Sequence, residues 1–417
     1  MRVVGLDIHR NFAEAALIED ARATRLGRID LVRERVIAFA KKLGKATEVV
    51  IEATGNTMAV AKLMTPHVKR VVIANPLQVR AIAHAKVKTD KIDALVLAKL
   101  HAAGFLPEVW QPDEATEKLR RQAARRARIV QARTRTKNRI HSVLHANLIL
   151  PFKGDLFSRK GRAWLASQPL EEDERSTIDS WLAELDRLAD DLANADAMLA
   201  NVGLADERIR RLMTITGIHL AIAGSLVAEI GEVSRFSSAE KLVSYFGLNP
   251  RVRQSGDSRA YHGRISKQGR SLARGLLVEA AWAAAKVPGP LRAFFLRVKA
   301  RRGQQIAAVA TARKIAVLIW HLLTKREDYA FGRPALHQAK LRKMEIKAGM
   351  PSKRGSNKPG RARNYYIKSL RDTERAFTAQ AESAYARFVA AWTERPNGKP
   401  KAEKRPGRAG AANEERQ

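Results

Sequence analysis

The chain contains no cysteine among its 417 residues. Disulfides, thiolate metal sites and cysteine nucleophiles are therefore excluded, and a reducing cytoplasm is the expected setting. Also missing are a P-loop, a G-x-G-x-x-G turn, an H-E-x-x-H helix and a G-x-S-x-G elbow. Their absence removes the nucleotide hydrolases, dehydrogenases, zincins and serine hydrolases built on those motifs. The opening MRVVGLDIHR carries charges at Arg2, Asp7 and Arg10 and has no signal-peptide core. The longest apolar stretch of the C-terminal half, IAAVATARKIAVLIWHLL, is interrupted by Arg313 and Lys314, so no membrane span is expected. Negative charge is scarce: 42 Asp and Glu stand against 77 Lys and Arg, a formal net charge of +35. That imbalance is the electrostatic footprint of a protein that neutralises phosphates, and nucleic acid is the expected partner.

At this length two or three compact units are expected, and a hydrophobic content of 45% is enough to build their cores. The first hundred residues read as three early strands followed by alternating helix and strand. The strands are RVVGLDI, AEAALIED and RLGRIDL, then TEVVIEA and HVKRVVIA, with helical spacing in LVRERVIAFAKKLG and TMAVAKLMTPH. This order predicts a mixed α/β sheet of the ribonuclease-H-like arrangement over 1–110.

A helical region follows over 111–205, in which residues 118–139 hold ten Lys or Arg and no acid. Arg121, Arg125, Arg128, Arg135 and Arg139 fall near one helical stripe. A charge run is commonly a solvated face, but ten like charges without an acid among them repel one another, which favours phosphate contact. The next segment is acidic and has apolar residues at helical spacing, so a helical hairpin or coiled coil is expected. A third, mostly helical unit covers 206–330, and a basic extension with a low-complexity, disordered end covers 331–417. Residues 332–417 hold 21 basic and eight acidic residues. The expected fold class is thus α/β plus α: a mixed sheet, a helical coiled-coil middle and a mostly helical C-terminal domain.

The segment VKTDKIDALVLAKL places Asp90 and Asp93 three residues apart where a helix begins, so both carboxylates share a face and repel unless a cation lies between them. Asp7 lies inside the apolar first strand, and Glu52 ends the fourth. With those strands neighbours, Asp7, Glu52, Asp90 and Asp93 could converge at one sheet edge, as a hard-oxygen site for Mg²⁺ or Mn²⁺. Each acid alone has a structural explanation: Thr89 suits an N-cap, and an acid in a first turn is favoured by the helix dipole. An acid inside an apolar strand is harder to dismiss, because burying it unpaired costs on the order of several kcal/mol.

RLMTITGIHLAIAGSLVAEIG reads as two helical patterns about a Thr-Gly turn, either a helix-hairpin-helix phosphate grip, with His219 in place of the usual small residue, or a plain helical hairpin. After Pro250 a basic loop carries Arg251, Arg253, Ser255, Gly256 and Arg259, then Arg264, Ser266, Lys267 and an amphipathic helix. A serine before a glycine on such a loop is commonly a turn residue. It becomes a phosphoryl nucleophile only when oriented, desolvated and deprotonated beside cationic groups. His141 and His145 share a helical face without an apparent third metal ligand and read as packing residues.

GLDIHRN, IEATGN, KTDKIDA, the ITGI turn, FGLNP, QSG and GRISKQG occur in that order between Val4 and about Trp282. As an ordered set they resemble the transposases of the insertion-sequence-one-hundred-and-ten family, relatives of the pilin-gene invertases. The resemblance implies a metal-dependent acidic tetrad at Asp7, Glu52, Asp90 and Asp93, and a nucleophilic serine at Ser255, with Ser258 and Ser266 close by. It also implies donor and target DNA as substrates, a structured noncoding guide RNA, and a homo-oligomer, dimer or tetramer, near the nucleoid. Arg253, Arg264 and Lys267 join the five arginines of the long helix as expected nucleic-acid contacts. Two other readings compete with cutting and rejoining: a junction-resolving nuclease that hydrolyses without a covalent intermediate, and a catalytically inactive basic DNA-binding protein.

Overall fold

The computed structural model describes residues 1–82, 90–256, 261–351 and 363–394 of the chain, which divides into two compact units, Met1–Asp113 and Glu114–Gln417. In the first unit the elements are β1 (Arg2–Ile8), β2 (Phe12–Glu19), β3 (Arg22–Asp30), α1 (Arg33–Leu43), β4 (Thr47–Glu52), α2 (Thr57–Met64), β5 (Arg70–Ala74), α3 (Pro76–Ile82) and α4 (Asp90–Ala102). The strands form one five-stranded sheet in the order β3-β2-β1-β4-β5. β2 runs antiparallel to both β1 and β3, whereas β1, β4 and β5 are parallel. The sheet is therefore of mixed direction, as the strand pattern predicts.

The two faces of the sheet bury different partners because successive side chains alternate. Val4, Leu6, Ile8, Val49 and Ile51 pack with Val36, Ala40, Val60 and Met64 of α1 and α2. Val3, Val50, Val72 and Ala74 pack instead with Leu97 and Ala98 of α4. Both faces are covered, which is why the central strands read as near-continuous apolar runs. α1 stops at Gly44, whose φ of 72° lies in the left-handed region that glycine enters without strain.

The second unit contains α5 (Glu114–Ala146), α6 (Arg159–Ala166), α7 (Glu172–Ala205), α8 (Glu207–Leu212), α9 (Leu220–Ile230) and α10 (Ala239–Tyr245). A two-stranded antiparallel ribbon, β6 (Pro250–Arg253) and β7 (Tyr261–Ile265), comes next. Then follow α11 (Ser271–Ala284), α12 (Pro290–Arg302), α13 (Gln304–Lys325), α14 (Pro334–Lys347), α15 (Arg363–Tyr366) and α16 (Lys368–Glu394). α5 and α7 form an antiparallel hairpin tied by Asn147 to Glu174, Thr136 to Glu184 and Arg126 to Asp196. Its open end merges into the main core of the unit, where Leu119, Ala123, Leu199 and Ala200 meet α8, α9 and α11.

α13 has the length and apolarity of a membrane-crossing helix, but half of its apolar window lies inside the unit. Ala312, Ile315, Ala316 and Ile319 are buried in the shared core, the position of a core helix. Part of the basic extension is also packed: Ala335, Ala339, Leu341 and Met344 of α14 are buried, and Glu382 of α16 pairs with Arg292 of α12 at 3.0 Å.

Candidate active site

Asp7 and Glu52 lie on the α4 face of the sheet. β1 and β4 pair in parallel up to Leu6 and Ile51, and one residue beyond that pair on each strand stand Asp7 and Glu52. Both lie at the carboxyl ends of adjacent parallel strands, the edge at which open α/β sheets bind ligands. Alternation puts them on the face of Val3, Gly5 and Val50, away from the α1 and α2 core.

α4 crosses this face antiparallel to β1. A Cβ at Gly5 would lie 2.0 Å from the Ala94 carbonyl oxygen and 3.0 Å from the Ala98 nitrogen. The helix backbone thus rests directly on the strand at Gly5, a close approach only glycine permits. One turn before Ala94 is Asp90, the first residue of the helix, so the acidic end of α4 points toward the strand ends that carry Asp7 and Glu52. Asp93 is half-buried on the same turn. The Asp90 side chain falls outside the described residues, and among the described residues no three acidic or histidine side chains are grouped so as to hold a metal ion.

Local bonds fix the ends of both strands. Thr57 Oγ1 donates to the Glu52 carbonyl at 2.8 Å, and Thr54 N donates to Thr57 Oγ1 at 2.8 Å, closing the loop within IEATGN. Asn56 Nδ2 reaches across to the His9 carbonyl at 3.1 Å. The His9 ring stacks on Phe12 at 4.6 Å and brings Nε2 to 3.4 Å from Asp7 Oδ2. Together these contacts set where the two carboxylates begin.

The sequence reading missed one acid here. Glu14 stands directly opposite Asp7 in the β1–β2 register and is 8% exposed. Its signal was an acid within the apolar strand AEAALIE, the same signal that singled out Asp7. Arg25 NH2 lies 3.2 Å from Glu14 Oε2, which gives this carboxylate its own counter-ion within the sheet.

Asp7, Glu52 and Asp93 each carry carboxylate oxygens, with the His9 ring beside Asp7, although these three are not themselves grouped closely enough to hold an ion. That chemistry fits a hard divalent cation and not a soft one. The Gly5 notch fits it too, because only an absent Cβ lets the acidic end of α4 come down to the sheet.

In the second unit, Ser255 is exposed on the turn between β6 and β7, and Gly256 beside it has φ +52°. Arg253, Arg264 and Lys267 are exposed as well; Arg253 ends β6 next to this turn, whereas Lys267 lies at the other end of the ribbon, its N–H donating to the Gly247 carbonyl. Ser266 is half-buried, its N–H donating to the Asn249 carbonyl at 2.8 Å; Ser258 lies outside the described residues. Arg121, Arg125, Arg128, Arg135 and Arg139 are all exposed along α5. They are less isolated than the sequence run suggests: Glu117 lies 2.9 Å from Arg121, Asp191 of α7 lies 3.6 Å from Arg125, and the Arg139 guanidinium stands 6.0 Å from the Trp181 ring centre. His141 packs edge-on against Phe157 at 5.6 Å.

The ITGI segment turns at Gly217, φ +87°, between α8 and α9. Its carbonyls are taken up by a residue from the basic extension: Lys340 Nζ donates to the carbonyls of Met213 at 2.7 Å, Ile218 at 2.8 Å and Ile215 at 3.2 Å. Burial, with Arg333 nearby, pulls this amine down to about 7. No spacing in the sequence connects residue 340 with this turn.

Comparison with known proteins matches two stretches of the chain to transposase families. Residues 4–148 match the DEDD-type transposase model of the IS110 group, and residues 209–296 match the model described as "Transposase IS116/IS110/IS902 family". The transposase for insertion sequence element IS1111A of Coxiella burnetii is 29% identical over 252 residues, covering 59% of this chain and 69% of that protein. A putative transposase of Sinorhizobium fredii, y4qE, is 32% identical over 47% of this chain and 48% of its own length. A pilin gene-inverting protein of Moraxella bovis is 31% identical over 50% of this chain and 58% of its own. The two family matches lie in order and together span more than half of the sequence, with the first covering the sheet that carries Asp7 and Glu52 and the helix that carries Asp93: the chain belongs to the IS110 family of transposases.

Proposed function

We propose that this transposase cuts and rejoins DNA with two sets of residues, an acidic tetrad in a ribonuclease-H-like domain and a serine on the β6–β7 turn. The strand order β3-β2-β1-β4-β5 with β2 antiparallel supports the ribonuclease-H-like reading. The observation that supports the tetrad is that Asp7 and Glu52 end adjacent parallel strands on the sheet face covered by α4, whose first turn carries Asp90 and Asp93.

Asp7, Glu52, Asp90 and Asp93 would hold Mg²⁺ or Mn²⁺, which when bound supplies charge to activate a nucleophile and to stabilise a leaving oxygen. Ser255 is the nucleophile: its Oγ loses a proton as it bonds to the scissile phosphorus, and the bond from phosphorus to the departing strand breaks. The resulting ester conserves the energy for rejoining, so no nucleotide hydrolysis is needed. Arg253, beside the turn, neutralises the phosphate there, and the exposed Arg264 and Lys267 bind the nucleic-acid backbone along the ribbon. The exposed arginines of α5 hold the backbone of donor or target DNA, or of a structured noncoding guide RNA, and the net charge of +35 supports such polyanionic partners. The chain acts as a homo-oligomer.

The test is cleavage by Asp7→Asn and Asp90→Asn. Each removes a ligand while making the surface more positive, so cleavage should vanish with nucleic-acid affinity retained. Wild-type cleavage by either variant in Mg²⁺ would overturn the tetrad.

A further inference from the structure

α4 is fastened to the sheet at the end opposite its acidic turn. His101, on its last turn, brings Nε2 to 2.7 Å from Glu48 Oε2, and Lys69 Nζ donates to Glu48 Oε1 at 2.8 Å. The side chains of His101 and Glu48 are 9% and 13% exposed. Hydrogen bonds from Lys69 and then His101 hold the Glu48 carboxyl below its ordinary value, against the opposing effect of burial.

Glu48, Val50 and Glu52 alternate onto one face of β4. From Glu48 to Glu52 the strand advances about 13 Å at roughly 3.3 Å per residue, and from His101 back to Asp93 the helix spans about 12 Å at roughly 1.5 Å per residue. The lengths match, so two glutamates on one strand address the two ends of one helix. Between them the backbones meet at Gly5, Ala94 and Ala98, and Leu97 packs among Val3, Val50 and Val72. Apolar burial supplies most of the hold on α4 but is not itself directional. A short polar contact is directional and does fix it.

We propose that the Glu48–His101 contact is a positioning clamp that sets where the acidic turn of α4 lies relative to Asp7 and Glu52, and so sets the affinity for a divalent cation without touching it. This rests on the four-carboxylate reading. His101 and Glu48 are positioning residues.

The experiment compares wild type with His101→Ala, His101→Gln and Glu48→Gln in the full chain. Hydrogen exchange without added metal tests the clamp by itself: amides of residues 93–98 should exchange faster in His101→Ala and Glu48→Gln, and His101→Gln, whose amide nitrogen reaches the same point, should restore most of the protection. Mg²⁺ titration, followed both by thermal midpoint and by cleavage, should then give half-saturation about tenfold higher in His101→Ala, with the cleavage plateau within about twofold of wild type. Unchanged exchange beyond the last turn of α4 overturns the clamp whatever the metal does. So does a lowered plateau at unchanged half-saturation, which marks general damage. If wild type and Asp7→Asn respond to Mg²⁺ identically, the tetrad fails instead, and the exchange result still decides the clamp.

Discussion

The α-carbon of Gly5 in β1 lies so close to Ala94 in α4 that a single added methyl would stand 2.0 Å from the Ala94 carbonyl oxygen. Backbone on both sides leaves no flexible side chain to give way. Gly5→Ala must therefore lift α4 from the sheet, carrying Asp90 and Asp93 with it. The expected cost is roughly 1–3 kcal/mol of stability, the range for overpacking, seen as a lowered thermal midpoint, together with loss of metal-dependent cleavage. Full cleavage by Gly5→Ala would show that the close approach does not set the site.

Glu48 makes the first unit sensitive to acid. Its folded-state carboxyl lies below the ordinary value of 4.5 because Lys69 and His101 bond its charged form. The stability it contributes is fully present above about pH 4.5 and is lost as pH falls through the lower folded-state value. Glu48→Gln should be less stable than wild type at pH 7, and the difference should shrink between about pH 5 and pH 3. Urea midpoints across that range measure it; a difference constant with pH would mean that the carboxylate charge is not what stabilises.

Lys340 should be costly to remove. Lys340→Met keeps most of the stem volume but strips the carbonyls of Met213, Ile215 and Ile218 of their shared donor. The Ile215 carbonyl keeps the Ile218 N–H, and the two others lose a buried donor at about 1–3 kcal/mol each, so a loss of about 2 kcal/mol or more is expected. Ammonium or methylamine added to Lys340→Ala should recover part of it. A variant as stable as wild type would remove the buried amine from the account of the ITGI turn.

Changing Arg121, Arg125 and Arg128 together to Gln should weaken nucleic-acid binding and flatten its salt dependence, by roughly one log-log unit for each phosphate no longer neutralised. Circular dichroism should stay unchanged. An unaltered slope would assign these side chains to their pairs with Glu117 and Asp191.

How much of this was readable beforehand follows from sequence distance. Asp7 stood out because an acid interrupts Val4, Leu6 and Ile8, and Asp90 with Asp93 stood out because three residues on a helix share a face. Strand alternation alone sorts Gly5, Asp7, Glu48 and Glu52 onto one side once β1 and β4 are known to pair. What was hidden lies in contacts between distant residues: Glu14 with Arg25 across two strands, Glu48 with His101 across a helix, Lys340 with a turn more than a hundred residues earlier. No local pattern encodes such pairs. The same blindness affected the arginine run: apart from Glu117 on its own helix, its compensating acids, Asp191 and Asp196, come from α7. In the basic extension, charge dominated the composition and concealed the buried stripe of Ala335, Ala339, Leu341 and Met344.

The central claim is that DNA is joined to the protein through Ser255 under control of the acidic tetrad. The direct measurement uses a labelled DNA substrate that traps the cleaved end, followed by nuclease trimming and mass spectrometry of the nucleotide-bearing peptide. Wild type in Mg²⁺ should give one adduct, on Ser255. It should disappear in Ser255→Ala and Asp7→Asn and persist in Ser258→Ala and Ser266→Ala. An adduct on any other residue, or metal-dependent free ends with no adduct, would contradict the account.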